Sequence, residues 1–179
     1  MRKKGISTKV MVQAGFLVAV SIVLTRFLVI MPTNTLRIGL GEVPLMISGF
    51  LFGPIVGGIV GAAADLTGIV INPQGPPHFG FTLSSMLWGI IPGLFVALHS
   101  KRRKGDPYTK LNITVTVSIC IIIISLGLNT YWLSNLYGKG FLVMLPERLM
   151  SAIISIPLQS IIIISLMKYL KNVATVFGE

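Results

Sequence analysis

Apolar residues in this chain come in long runs, and polar residues collect where the runs end. A helix needs about 20 mostly apolar residues to cross a bilayer. The pattern predicts six such segments, at about 10–30, 38–52, 54–71, 81–98, 111–132 and 141–170. The breaks between them are rich in turn formers. MPTNTLR (31–37) ends the first, NPQGPPHFG (72–80) ends the third, and SNLYGKG (134–140) ends the fifth. HSKRRKGDPYTK (99–110), after the fourth, is the most polar stretch of the chain. The second segment carries Glu42 and Pro44, and only Phe52-Gly53-Pro54 parts it from the third, so the two are hard to separate. Pro92-Gly93 predicts a kink in the fourth, and Pro146 and Pro157 predict breaks in the sixth. The expected fold is therefore all-α: an integral membrane bundle of six transmembrane helices, forming one domain over residues 1–179.

Composition supports a lipid solvent. Hydrophobic residues make up 53% of the chain and charged ones 11%, against roughly 25% charged in an ordinary soluble domain. The mean hydropathy is +0.86. The net charge of +10 does not predict a nucleic-acid partner, because the cations sit at the ends of apolar runs and not along an aromatic-interleaved face. Cys120 is the one cysteine, which excludes an internal disulfide and a CxxC metal site. The basic start MRKK resembles a signal peptide, but its apolar run is too long and lacks a small-residue cleavage site before Arg26. It reads as a retained first span.

Charge orients the bundle. Arg2, Lys3, Lys4 and Lys9 precede the first span. Lys101, Arg102, Arg103, Lys104 and Lys110 lie between the fourth and fifth, and Lys168 and Lys171 follow the sixth. With six spans these groups share one face, which the positive-inside rule makes cytoplasmic, so both termini are expected in the cytoplasm. Four cations do not serve topology: Arg26, Arg37, Lys139 and Arg148, all toward the outer half. An ionisable group inside a span costs at least about 2.5 kcal/mol and normally faces a partner or a cavity. Glu42, Asp65 and Glu147 are available partners. Cations converging on an outward cavity also suit an anionic ligand, above all a carboxylate.

Candidate chemistry concentrates between Gly53 and Trp88. Gly53, Gly57 and Gly61 recur at four-residue spacing, a smooth face for close helix packing, and the next step lands on Asp65. Asp65 suits either an internal salt bridge or a ligand contact. In the loop after it, prolines limit freedom, and Phe79 and Phe81 can stack on a flat ring. His78 reads as a structural or rim residue, because two histidines make no metal cluster. Thr82 suits a helix cap or a ligand bond. Near the end of the fifth span, Trp132 fits an interfacial belt, whereas Asn129 can read the edge of a heterocycle. Gly15 and Ala19 make a small-residue pair on the first span, suited to internal packing or to docking another protein's helix. Signatures of hydrolases, NTPases and metalloenzymes are missing.

The segments GPIVGGIVGAAAD and GFTLS, with the LYGK…PER pattern from Leu136 to Arg148, resemble the folate-specific substrate-binding subunits (S components) of energy-coupling factor vitamin transporters. The resemblance covers nearly the whole chain. It implies a six-helix membrane fold that takes folate from outside into a cavity covered by the loops after spans one, three and five. It implies docking onto a transmembrane coupling subunit and two cytosolic ATPases, so ATP is used by partners and the chain itself needs no cofactor or metal. Toppling in the membrane would turn the site inward. The family's docking strip falls on Gly15 and Ala19, where glycine replaces the usual alanine. Folate would then be held by Arg26, Arg148 and Lys139 at its carboxylates and by Asp65 or Asn129 at its pterin. Phe79, Phe81 and Trp132 would stack on its rings, with His78 and Thr82 nearby.

Three competing functions remain open on the sequence. The same fold can carry riboflavin, thiamin or another vitamin. A small membrane enzyme or scaffold is disfavoured by the missing catalytic motif, and a channel by the missing filter or pore-lining ring.

Overall fold

A computed structural model describes residues 7–28, 39–73, 75–102 and 106–175, and their side chains except at 102 and 171–175. The described residues are helical, with no strand. The turn predicted at 31–37, including Arg37, lies outside them, as do Arg2 to Lys4, Arg103, Lys104 and the side chain of Lys171. Helix α1 spans Thr8–Arg26, α2 Glu42–Ile71 and α3 Phe79–Arg102. A continuous rod, Lys110–Tyr137, consists of α4 (Lys110–Cys120), a π-helical stretch (Ile121–Asn129) and α5 (Thr130–Tyr137). Helix α6 spans Phe141–Thr175. Among the described residues, five helical elements are long and apolar enough to cross a membrane.

Two sequence expectations change. The rod ends at Tyr137, five residues beyond the predicted 132, where Gly138 takes φ 65° as a left-handed cap. Helix α6 runs through Pro146 and Pro157 where breaks were expected. Each proline removes one backbone donor, a loss that membrane helices tolerate when neighbouring groups serve the freed carbonyl.

The break at Gly53 is a reversal of direction. Gly53 has φ 84° and ψ −179°, a region open essentially to glycine alone. The arm 54–71 runs antiparallel to α3, with Gly61 against Ser85, Gly57 against Gly89, and Pro54 against Gly93. If the arm 42–52 continued straight, Gly49 would lie near residue 97. Instead it lies beside Gly89 and Gly93, and its Cα is 2.9 Å from where a Cβ on Gly57 would stand. The two arms therefore form a tight hairpin, whose open end holds Glu42 and Asp65.

Tyr108 completes the turn. In a straight helix the Phe50 carbonyl would accept from the amide of residue 54, but Pro54 has none. The Tyr108 hydroxyl donates to that carbonyl at 3.1 Å. Burial, with Asp106 adding, raises the tyrosine's pKa above its usual 10.0, so it remains a donor at neutral pH. Tyr108→Phe is expected to cost about 1–2 kcal/mol in thermal unfolding. Because the folded-state pKa is the higher one, the contribution is present below the ordinary tyrosine value and lost as pH rises through the folded value. The wild-type and Phe variants should therefore converge at strongly alkaline pH.

Phe50, Met46, Ile113, Ile121, Ile124, Ile163 and Met167 are fully buried and form the centre of the bundle. Large apolar side chains also face outward, as Ile55, Val70, Leu142 and Ile153 do, which is the surface a bilayer covers. Helix α1 is peripheral: only Ser21 and Ile22 are buried. The Ser21 hydroxyl ties it to α2 by donating to the Gly41 carbonyl at 2.7 Å.

Candidate ligand cavity

The open end of the hairpin, the end of α1, the start of α3, the π-helical stretch with α5, and the start of α6 surround a cavity of about 220 Å³. Its wall includes Arg26, Glu42, Asp65, His78, Phe81 and Arg148. Trp88 lies one helical turn beyond Ser84 on the same face of α3, and both reach the cavity.

The charged corner is internally bonded. Arg26 and Asp65 form an ion pair at 3.4 Å, with side chains only 8% and 11% exposed. The other Asp65 oxygen accepts from the Thr82 hydroxyl at 2.8 Å. Arg26 also donates to the Asn72 carbonyl at 3.3 Å, and the Asn72 amide donates back to the Arg26 carbonyl at 3.2 Å. Gly68 makes room for this: a Cβ there would lie 2.7 Å from Arg26 Nε. One corner thus links the ends of α1 and α2 to the start of α3. Thr82 acts through Asp65 and is not itself part of the cavity wall.

Aromatic rings pack where the proline-rich loop enters α3. His78 Nδ1 accepts from the Gly80 amide at 3.0 Å. Its ring lies 5.8 Å from Phe81 and 5.4 Å from Trp132. Gly80 is pressed against Trp132, where a Cβ would come within 2.5 Å of the indole. Trp132 therefore holds the loop from behind, while His78 and Phe81 reach the cavity.

The predicted site residues divide. Arg26, Asp65, His78, Phe81, Asn129 and Arg148 meet at the cavity. Thr82 and Trp132 stand behind this wall. Phe79 is 91% exposed and points away, because Phe79 and Phe81 lie two apart on a helix and so face different sides. Lys139 is exposed outside the wall, and its carbonyl accepts from Ser134 at 2.6 Å. Gly15 and Ala19 lie on the exposed face of α1, and a Cβ on Gly15 would meet nothing within 4 Å. Sequence reasoning missed Thr25, Ser84, Trp88, Ser125 and Tyr137. One signal was available: Ser125, Asn129, Leu133 and Tyr137 recur every four residues, and all reach the cavity. A step of four overshoots one turn of an α-helix by about 40° and falls short of one turn of the wider π-helix, so the two drifts run in opposite directions. The π-helical stretch helps keep these residues on one wall.

Comparison with known proteins places this geometry in a family. The model of the "ECF-type riboflavin transporter, S component" family matches residues 5–172. The folate transporter FolT of Clostridium novyi is 37% identical over 154 residues, covering 86% of this chain and 85% of that one. FolT of Leuconostoc mesenteroides is 26% identical over 159 residues, with 86% and 82% covered. Among solved structures, FolT bound with folic acid superposes with a TM-score of 0.73 at 31% identity, covering 87% of this chain and 90% of that one. The S component of a bacterial ECF transporter shares the fold, with a TM-score of 0.69 at 24% identity and 92% and 96% covered. The chain therefore belongs to the S-component family of energy-coupling factor (ECF) transporters, and is a multi-pass membrane transport subunit, not an enzyme.

Proposed function

We propose that this chain captures folate from outside the cell in the cavity between α1, α2, α3, α5 and α6, and delivers it inward when docked to an ATP-driven coupling module. The observation that carries the reading is the cavity's charge pattern. Arg26 and Arg148 face the same space as Glu42 and Asp65, and Trp88 and Phe81 offer flat apolar surface. That set suits a ligand with carboxylates at one end and a donor-rich planar heterocycle at the other. The likeness to folic-acid-bound FolT points the same way. A second reading, riboflavin, is favoured by the matching family model. Riboflavin carries no carboxylate, however, and would make no use of the two cationic groups on the cavity wall.

The topology of this reading has six passes, with both termini in the cytoplasm. The hairpin at Gly53 supports it, because the reversal adds one pass to the five long elements. Lys9, Lys101, Lys110 and Lys168 lie toward the ends of their helices remote from the cavity, as inward-facing cations should. The exposed strip at Gly15 and Ala19 is the docking surface for the transmembrane coupling subunit, which works with two cytosolic ATPases. The site itself needs no metal or cofactor.

Equilibrium binding to the purified chain tests the ligand. Folate should bind at least about 100-fold tighter than riboflavin or thiamin, a gap of about 2.7 kcal/mol. Tighter riboflavin binding would reverse the assignment. Gly15→Leu tests docking. It should leave folding and folate binding intact, since no neighbour crowds the site, yet abolish uptake by the reconstituted transporter. Undiminished uptake would exclude this strip as the docking surface.

A further inference from the structure

We propose that Ser84 is a specificity-determining residue of the cavity and that, with Asn129, it reads the hydrogen-bonding edge of the ligand's planar heterocycle. This rests on the folate reading above and assigns the recognition of one end of that ligand.

Ser84 is 2% exposed and lines the cavity, and its hydroxyl has no hydrogen-bond partner among the described residues. A hydroxyl in an apolar helix usually bonds a carbonyl one turn back. Here Thr114, Thr116 and Ser118 each donate to the carbonyl four residues earlier, at 3.0, 2.8 and 2.9 Å. Ser84 does not. Asn129 Oδ1, across the cavity at the end of the π-helical stretch, is likewise buried without a partner among the described residues. Buried polar atoms left unsatisfied cost stability, so two of them facing one cavity mark where a ligand completes the bonding.

Their chemistry defines that ligand edge. The Asn129 oxygen accepts only, and the Ser84 hydroxyl donates and accepts. Together they match a lactam edge flanked by an amine, where N–H donors stand beside a carbonyl. Asp65 is a poorer reader of this edge, since Arg26 and Thr82 already occupy its two oxygens. Trp88 and Phe81, on the same face of α3 as Ser84, supply the surface against which the heterocycle lies flat.

Ser84→Ala tests the assignment through three measurements on the intact chain. The ligand-free melting temperature should stay the same or rise, because the change removes an unsatisfied hydroxyl. Folate affinity should fall about tenfold or more, the range expected when a buried hydrogen bond to ligand is lost. Affinity for p-aminobenzoylglutamate, which lacks the heterocycle, should not change when measured by competition with labelled folate. Unchanged folate binding overturns the role of Ser84. So does an equal loss for both ligands, or a fall in the ligand-free melting temperature, since either makes the residue structural. A wild-type chain that binds no folate overturns the underlying ligand reading instead.

Discussion

Replacing Arg26 with glutamine should destabilise the folded protein by about 3 kcal/mol, and Asp65→Asn should cost a similar amount. The double variant should cost distinctly less than the sum. The reason is burial. Each group is about nine-tenths shielded, so removing one leaves the other charged, desolvated and without this counter-charge, whereas removing both takes the two buried charges away together. Thr82 softens the Arg26 variant by donating to Asp65, but one neutral bond does not replace a guanidinium. The singles should also weaken folate binding, because Arg26 ties the loop carbonyl of Asn72 to the end of α1 and that corner borders the cavity. Thermal unfolding of the four forms gives the coupling energy directly. Strictly additive losses would show that the pair is not coupled. Unchanged folate affinity in both singles would remove this corner from the binding site.

Much of the fold was legible because a membrane span is a length criterion, and length survives without knowledge of tertiary contacts. Gly53-Pro54 was readable as a break for the same local reason: proline removes a donor, and glycine tolerates a positive φ. The direction of the chain after the break was not, since a kink and a hairpin share one sequence signature. The site was less legible. Arg26 and Asp65 are 39 residues apart, so no spacing rule links them, and the sequence left Asp65 open between a salt bridge and a ligand contact. Lys139 stands out in the sequence by its charge, and Phe79 by the composition of its loop. The helix start two residues before Phe81 separates the two phenylalanines, and loop composition carries no such phase. A serine in an apolar run normally bonds a carbonyl of its own helix, so Ser84 and Ser125 do not stand out in the sequence. The π-helical stretch in IIIISLGLN has no local signature, and its effect appears only when the residues on one wall are counted in steps of four.

The glycines at the bend should be the least substitutable positions outside the cavity. Gly49, Gly57 and Gly89 meet backbone to backbone, and a Cβ on Gly57 would lie 2.6 Å from the Gly89 carbonyl oxygen and 2.9 Å from the Gly49 Cα. No rotamer change can relieve this, because the obstacles are main-chain atoms. Gly57→Ala should therefore cost about 3 kcal/mol, the upper end of ordinary overpacking, and Gly57→Leu should prevent folding. The same changes at Gly15, where a Cβ meets nothing, should leave the melting temperature unchanged. The contrast separates two roles that small residues play in membrane helices, internal close approach and an open docking face. The junction also bears on function. It sets the angle between the arms 42–52 and 54–71, and the free ends of those arms carry Glu42 and Asp65 into the cavity. Alanine at Gly57 that folds should splay the arms and so lower folate affinity without touching any residue of the cavity wall. Wild-type affinity in a destabilised Gly57→Ala protein would show that the cavity does not depend on how closely the hairpin is closed.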